Sequence, residues 1–327
     1  MTTPHRRTAP LRGADTARRR RAADGRSRTL LRRAAVTIAF LAAMAGTAVG
    51  VGAFGGDPIQ KAAGGLLAAD STHLAPASSA FSIWTLIYAG LGAYTLWQWW
   101  DPRDDRGIAM PAIASLLLNA AWILVIQAGW VWVSVPVIAL LLAVLALLFR
   151  RITVHPPRSL VERFVVDGTF GLYLGWVSVA TCADIAAALK GSGFLGLGVP
   201  ELFAVVVLAA VAAIGIALTV LGRRPLAAPA AMIWGLAWIA VGRATDSPHS
   251  PVVAIAAVVA ALVIAVAAVI GAVRGHRAPA GTDPRPRPDP VPTPGTRRAA
   301  PGSGRAAPGS GRAAPGSGRA APEGSGR

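Results

Sequence analysis

Cysteine occurs once in the 327 residues, lysine twice and tyrosine three times, and Asp and Glu together number only 15. The lone Cys182 excludes an intrachain disulfide and any cysteine-based metal site. In its apolar surroundings it reads as a small buried hydrophobe. Charged residues make up 14% of the chain, against about 25% in a soluble globular domain. That shortage excludes one large soluble core. It is also uneven, because charge gathers at the two ends and in short runs between apolar stretches of roughly the 20 residues that cross a bilayer.

What charge there is has one sign. The net charge is +17, carried almost wholly by arginine. A basic balance of this size can serve nucleic acid, but these arginines sit in terminal tails and alternate loops, with no folded basic face between them. Nucleic acid is therefore not expected as a partner; the lipid bilayer is. The fold class that follows is all-α, a polytopic membrane bundle, since exposed backbone cannot be satisfied in lipid otherwise.

Eight spans are expected, near 34–54, 79–100, 108–128, 131–149, 164–189, 202–221, 226–241 and 251–273. Arg103, Arg106, Arg150, Arg151, Arg158, Arg163, Arg223, Arg224, Arg274 and Arg277 fall on one side. Lys61, Lys190 and Arg243 fall on the other. With the Arg-rich start, this alternation places both ends in the cytoplasm by the positive-inside rule and fits an even number of spans in the cell membrane. The first apolar stretch exceeds the roughly 7–15 residues of a signal-peptide core, so an uncleaved helix is expected; the Ala/Gly-rich end at 43–52 keeps cleavage as the other reading. Four segments result: a disordered Arg-rich cytoplasmic arm (1–32), a five-helix core (33–190), a three-helix extension (191–273) and a disordered tail (274–327). The tail repeats Arg-Ala-Ala-Pro-Gly-Ser-Gly three times from Arg298 and cannot bury enough apolar area to fold.

Three clusters carry the chemistry. Phe81, Trp84, Tyr88 and Leu91 recur at helical spacing on the second span, with Gln98 further along. Asn119, Trp122 and Ile126 share a face of the third. Tyr173, Trp176, Ala180 and Asp184 align on the fifth at steps of three and four. An unpartnered amide such as Asn119 is costly inside an apolar span, and a carboxylate such as Asp184 needs a partner or water. Aromatic faces with a few polar groups are the usual lining of a site for a flat, largely apolar ligand. The bland alternatives are interfacial anchoring for Trp97, Trp99, Trp100, Trp130 and Trp132 and inter-helix hydrogen bonding for Asn119. The small-residue pairs Gly46/Gly50 and Gly171/Gly175 suit close helix packing or, as a second reading, a homodimer seam.

The motifs Phe-Ser-Ile-Trp-x-x-Ile-Tyr at 81–88, Leu-Asn-Ala-Ala-Trp at 118–122 and Leu-Tyr-Leu-Gly-Trp-Val-Ser-Val-Ala-Thr at 172–181 resemble, in this order, the tryptophan-rich sensory protein (TspO/translocator) family. The resemblance covers about residues 34–190, and the last three spans are similar to the extension of longer members. It implies a five-helix bundle with a pocket beneath the loop joining the first two spans. It also implies binding of porphyrins and other hydrophobic small molecules, in a sensory or regulatory role. Ligand-contacting positions would be Trp84, Tyr88, Asn119, Trp122, Tyr173, Trp176 and Ala180, with Asp184 where the family often has Asn.

The expectation is thus a membrane receptor or sensor for a flat tetrapyrrole-like ligand, not an enzyme, with no resident cofactor beyond porphyrin or haem as a ligand. No catalytic His, Cys or carboxylate pair stands at useful spacing. Of the histidines only His73 lies near the pocket mouth, and an axial-ligand role for it competes with that of a solvated loop residue. The alternative is a small-solute transporter with its substrate near Asn119 and Asp184.

Overall fold

A computed structural model describes residues 12–221 and 226–277, and among these no strand forms. Eight long helices follow one another: α1 (Arg12–Gly50), α2 (Ile83–Trp100), α3 (Ala109–Gln127), α4 (Val131–Val154), α5 (Thr169–Gly191), α6 (Pro200–Leu221), α7 (Ala227–Thr245) and α8 (Pro251–Arg277). Seven of the eight are long and apolar enough to cross a membrane. The exception is α2, which carries Trp84, Tyr88, Tyr94, Trp97, Gln98, Trp99 and Trp100 in 18 residues. Its polar ring atoms and amide lower its apolarity because this helix walls an interior, not only lipid. The chain is a multi-pass membrane protein. Helix α1 starts at Arg12, inside the arm expected to be unstructured, because alanine and arginine are strong helix formers and continue the first span backwards. Residues 1–11 and the repeat tail lie outside the described residues.

The ends of the helices follow from local sequence. Asp104 Oδ1 accepts the Ile108 N–H at 2.8 Å, so a carboxylate meets the start of α3, where backbone N–H groups lack partners. Pro102 follows the end of α2, since a residue preceding proline leaves the helical region. Between α3 and α4, Gly129 takes φ +78, a left-handed conformation that glycine adopts without strain. The expected tight hairpin is formed there.

Helices α1, α3, α4 and α5 pack side by side in that order, and α2 bridges α5 and α1 more loosely to complete a ring. A hollow is left between α2, α3 and α5. The extension forms its own apolar cluster, in which α8 packs against both α6 and α7. It joins the core along α5. Cβ atoms added at Gly171 and Gly175 would run into Ala227 and Ala228 of α7. A Cβ at Gly235 of α7 would come within 3.0 Å of Val179. On the other flank Gly46 and Gly50 face Ala120 and Ile123 of α3. Both small-residue pairs are thus used for close packing inside the chain.

At the end of the bundle opposite the α1–α2 loop, several topology arginines join a charged network. Buried Arg106 meets Asp167 at 2.6 Å, Glu162 at 3.4 Å and the Ile152 carbonyl at 2.7 Å. Arg158 meets Glu162, Asp101 and Asp105. Two hydrogen bonds from Arg103 hold the Asp101 carboxyl below its usual range.

Candidate functional site

The hollow is lined from three helices whose apolar faces turn inward. On α2 and the 3-10 turn before it (Ser78–Ser82), Phe81, Trp84 and Tyr88 lie on one face. Trp84 stacks on Tyr88, centroids 5.3 Å apart and planes at 27°. It presents an edge to Tyr173 at 5.8 Å and to Trp176 at 6.3 Å. Phe81 meets Trp176 edge-on at 5.8 Å. Five rings are thereby fixed against one another in geometries that aromatic quadrupoles favour.

Hydrogen bonds set the orientation of the polar members. Asn119 Nδ2 donates to the Tyr88 hydroxyl at 2.6 Å. Trp122 Nε1 donates to Asp184 Oδ1 at 3.2 Å, and the Ser134 hydroxyl lies 2.8 Å from Asp184 Oδ2. The Tyr173 hydroxyl donates to the Ser115 carbonyl at 3.3 Å.

Two cavities share these rings. The inner one has a volume of about 40 Å³ and is lined by Trp84, Asn119, Trp122, Trp176 and Ala180, with Leu66, Ser71, Thr72 and Pro76 as a roof. Its walls carry three buried polar atoms without a protein hydrogen-bond partner: Thr72 Oγ1, Asn119 Oδ1 and Trp176 Nε1. Buried polar atoms of this kind are uncommon and costly. The second cavity, of about 460 Å³, lies between the end of α1 and α2 and is lined by Met44, Thr47, Ile59, Gln60 and Tyr88. Phe81, Trp84 and Trp122 line both, so these rings form a partition one side chain thick.

The roof, residues 66–77, is held from outside the five-helix ring. Arg243 of α7 is fully buried and donates to the carbonyls of Ala69 at 2.5 Å, Pro248 at 3.0 Å and Ala75 at 3.5 Å. The Ala77 N–H donates to the Trp238 carbonyl at 3.1 Å, and Trp234 Nε1 to the Ala80 carbonyl at 3.0 Å. A Cβ on Gly242 would sit 3.2 Å from the Ala77 nitrogen, so α7 approaches the roof at backbone distance.

A family model described as TSPO-like protein matches residues 33–270, a stretch that includes the ring, the roof and most of the extension. The chain belongs to the TSPO-like family. No curated protein and no solved structure matches it.

Within this TSPO-like bundle the residues singled out from the sequence do not all stand at the same place. Trp84 and Trp122 line both cavities, Asn119, Trp176 and Ala180 the inner one, and Tyr88 the outer one. Tyr173 lines neither; it is fully buried behind Trp84. Asp184 also lines neither, being buried between Trp122 and Ser134, where it fixes the indole. His73 lies on the far side of the roof, and burial, then the Arg243 charge, hold its imidazole below the usual range.

Other contributors belong to no sequence motif. Thr72, Met44, Thr47, Ser134 and Arg243 reach the site through loops and neighbouring helices. For Arg243 a signal existed, as an arginine at the sparsely charged end of a span breaks the pattern that the others set. Among the described residues no group of three His, Cys, Asp or Glu side chains is arranged to hold a metal ion.

Proposed function

We propose that this TSPO-like protein is a membrane receptor of sensory type that takes a flat, hydrophobic, tetrapyrrole-like ligand into the aromatic hollow. Both ends would lie in the cytoplasm, with the roof on the opposite face of the cell membrane. The observation that carries this reading is the meeting of Asn119 Oδ1 and Trp176 Nε1, both unpartnered, at one cavity otherwise walled largely by rings and apolar side chains. A ligand edge bearing one donor and one acceptor would satisfy the amide oxygen and the indole N–H. The ring face would find Trp84.

Size decides where the body of the ligand lies. The inner cavity has room for only a few waters, each needing about 10–15 Å³. The outer cavity, at about 460 Å³, falls inside the roughly 300–1,000 Å³ of sites for drug-sized molecules. The ligand body would lie there against Trp84 and Tyr88, and a rotamer change of one partition ring would let its polar edge reach Asn119. Neither lining offers an imidazole or thiolate, so iron would gain no such axial ligand from them, and a metal-free porphyrin is the probe of choice. The transport alternative, with its substrate near Asn119 and Asp184, is the less favoured reading, because Asp184 is buried behind Trp122 and lines neither cavity.

The test is quenching of tryptophan fluorescence by a metal-free porphyrin, using detergent-purified protein. Ring contacts of about 0.5–1.5 kcal/mol each imply that Trp84→Ala with Trp176→Ala weakens binding by roughly 5- to 150-fold. Unchanged affinity in the double variant would reject the site.

A further inference from the structure

Behind the roof lies a third cavity that the aromatic hollow does not use. It has a volume of about 350 Å³ and sits between α5, α6 and the 66–77 loop. Its long walls are apolar: Cys182, Ile185, Leu189, Phe194, Phe203 and Val207. Phe194 and Phe203 close one side, edge-on at 5.7 Å. One end is polar. There Lys190, His73 and Thr72 line the cavity, with no carboxylate among the lining residues. Thr72 Oγ1 is buried and has no protein partner. Lys190 Nζ donates to the Ser71 carbonyl, which keeps the ammonium at the cavity mouth while two of its three donors remain for another acceptor. The first turn of the 22-residue helix α6 also faces this space through Pro200 and Phe203.

We infer that this cavity is a second binding site, for a long-chain carboxylate: the acyl chain lies along the Ile185–Val207 walls and the carboxylate meets Lys190 and Thr72. Charge selects the ligand. A neutral chain would leave the ammonium and the Thr72 hydroxyl as they are, whereas a carboxylate supplies acceptors for both. The volume stands at the low end of small-molecule sites and suits one chain. Ser71 and Thr72 line both this cavity and the inner one, so the two sites share a wall but not their rings.

Cys182 supplies the reporter, being the chain's one cysteine and part of this wall. The full chain is placed in zwitterionic nanodiscs and its alkylation by N-ethylmaleimide is followed with and without oleate. Oleate is expected to slow alkylation at least fivefold, and oleyl alcohol to slow it much less. Lys190→Gln should abolish the difference, and Lys190→Arg should keep it, which separates loss of charge from loss of fold. A metal-free porphyrin should leave the alkylation rate unchanged, so this test stands or falls apart from the proposed function. Equal protection by acid and alcohol would overturn the inference. So would full protection by oleate in Lys190→Gln, or protection by phosphatidylglycerol to which free oleate adds nothing.

Discussion

Arg243→Met removes the guanidinium that ties the roof to α7. Hydrogen bonds to a charged group contribute about 1.5–3 kcal/mol each, and two here are short, to Ala69 and Pro248. Their loss costs about 3–6 kcal/mol. Methionine offsets part of this, since a buried cation carries a desolvation penalty, and a net cost of about 2–4 kcal/mol follows. Because the acceptors belong to the roof and to the turn after α7, the loss falls on local opening of residues 66–77. That corresponds to roughly 30- to 700-fold faster amide exchange there. The assay is hydrogen exchange read by mass spectrometry on peptides from the roof and, for comparison, from α4. Arg243→Lys should recover only part of the protection, because an ammonium cannot reproduce the planar fork. Unchanged exchange in the roof, or equal acceleration in α4, would refute the assignment of Arg243 as its anchor.

Asn119→Leu removes an unpartnered buried acceptor together with the hydrogen bond to the Tyr88 hydroxyl. The gain and the loss largely offset, so thermal stability in detergent should fall by no more than about 1 kcal/mol, while porphyrin affinity falls by roughly 5- to 150-fold, about 1–3 kcal/mol. Gly175→Val places carbon against the Ala228 backbone and should cost about 1–3 kcal/mol or more in thermal unfolding. Gly25→Ala, with nothing within 4 Å, should cost nothing. Arg106→Met takes the ion partner from Asp167, while Glu162 keeps Arg158, and should cost about 3 kcal/mol by the same measurement. The lowered carboxyl of Asp101 contributes stability above the unfolded value near pH 4 that is lost as pH falls through its folded value. A melting-temperature profile should therefore drop below about pH 4, and less so in Asp101→Asn.

The helices were readable in the sequence because lipid leaves so few alternatives, and the observed ends differ from the expected ones mostly by a few residues. Aromatic spacing on α2 was readable for the same reason: Phe81, Trp84 and Tyr88 share a face whatever lies opposite. What periodicity could not supply was the partner across the gap. Asn119 finds Tyr88 and Trp122 finds Asp184 only once the ring order of helices is set. The stripe from Tyr173 to Asp184 was read as one lining face. At the height of Asp184, however, α4 closes on α5 and Ser134 takes up the carboxyl, so Ala183 lines the cavity in place of Asp184, beside the expected Ala180. The roof anchor was the least legible feature, since Arg243 reaches carbonyls some 170 residues away in the chain, and carbonyls carry no sequence signal.

The most direct measurement is an experimental structure of the protein with a metal-free porphyrin bound. The macrocycle face should rest against Trp84 and Tyr88, between α1 and α2, with a polar edge in hydrogen-bond reach of Asn119 Oδ1 or Trp176 Nε1. A macrocycle resting on the outer, acyl-chain-facing surface, with those two atoms still unpartnered, would contradict it.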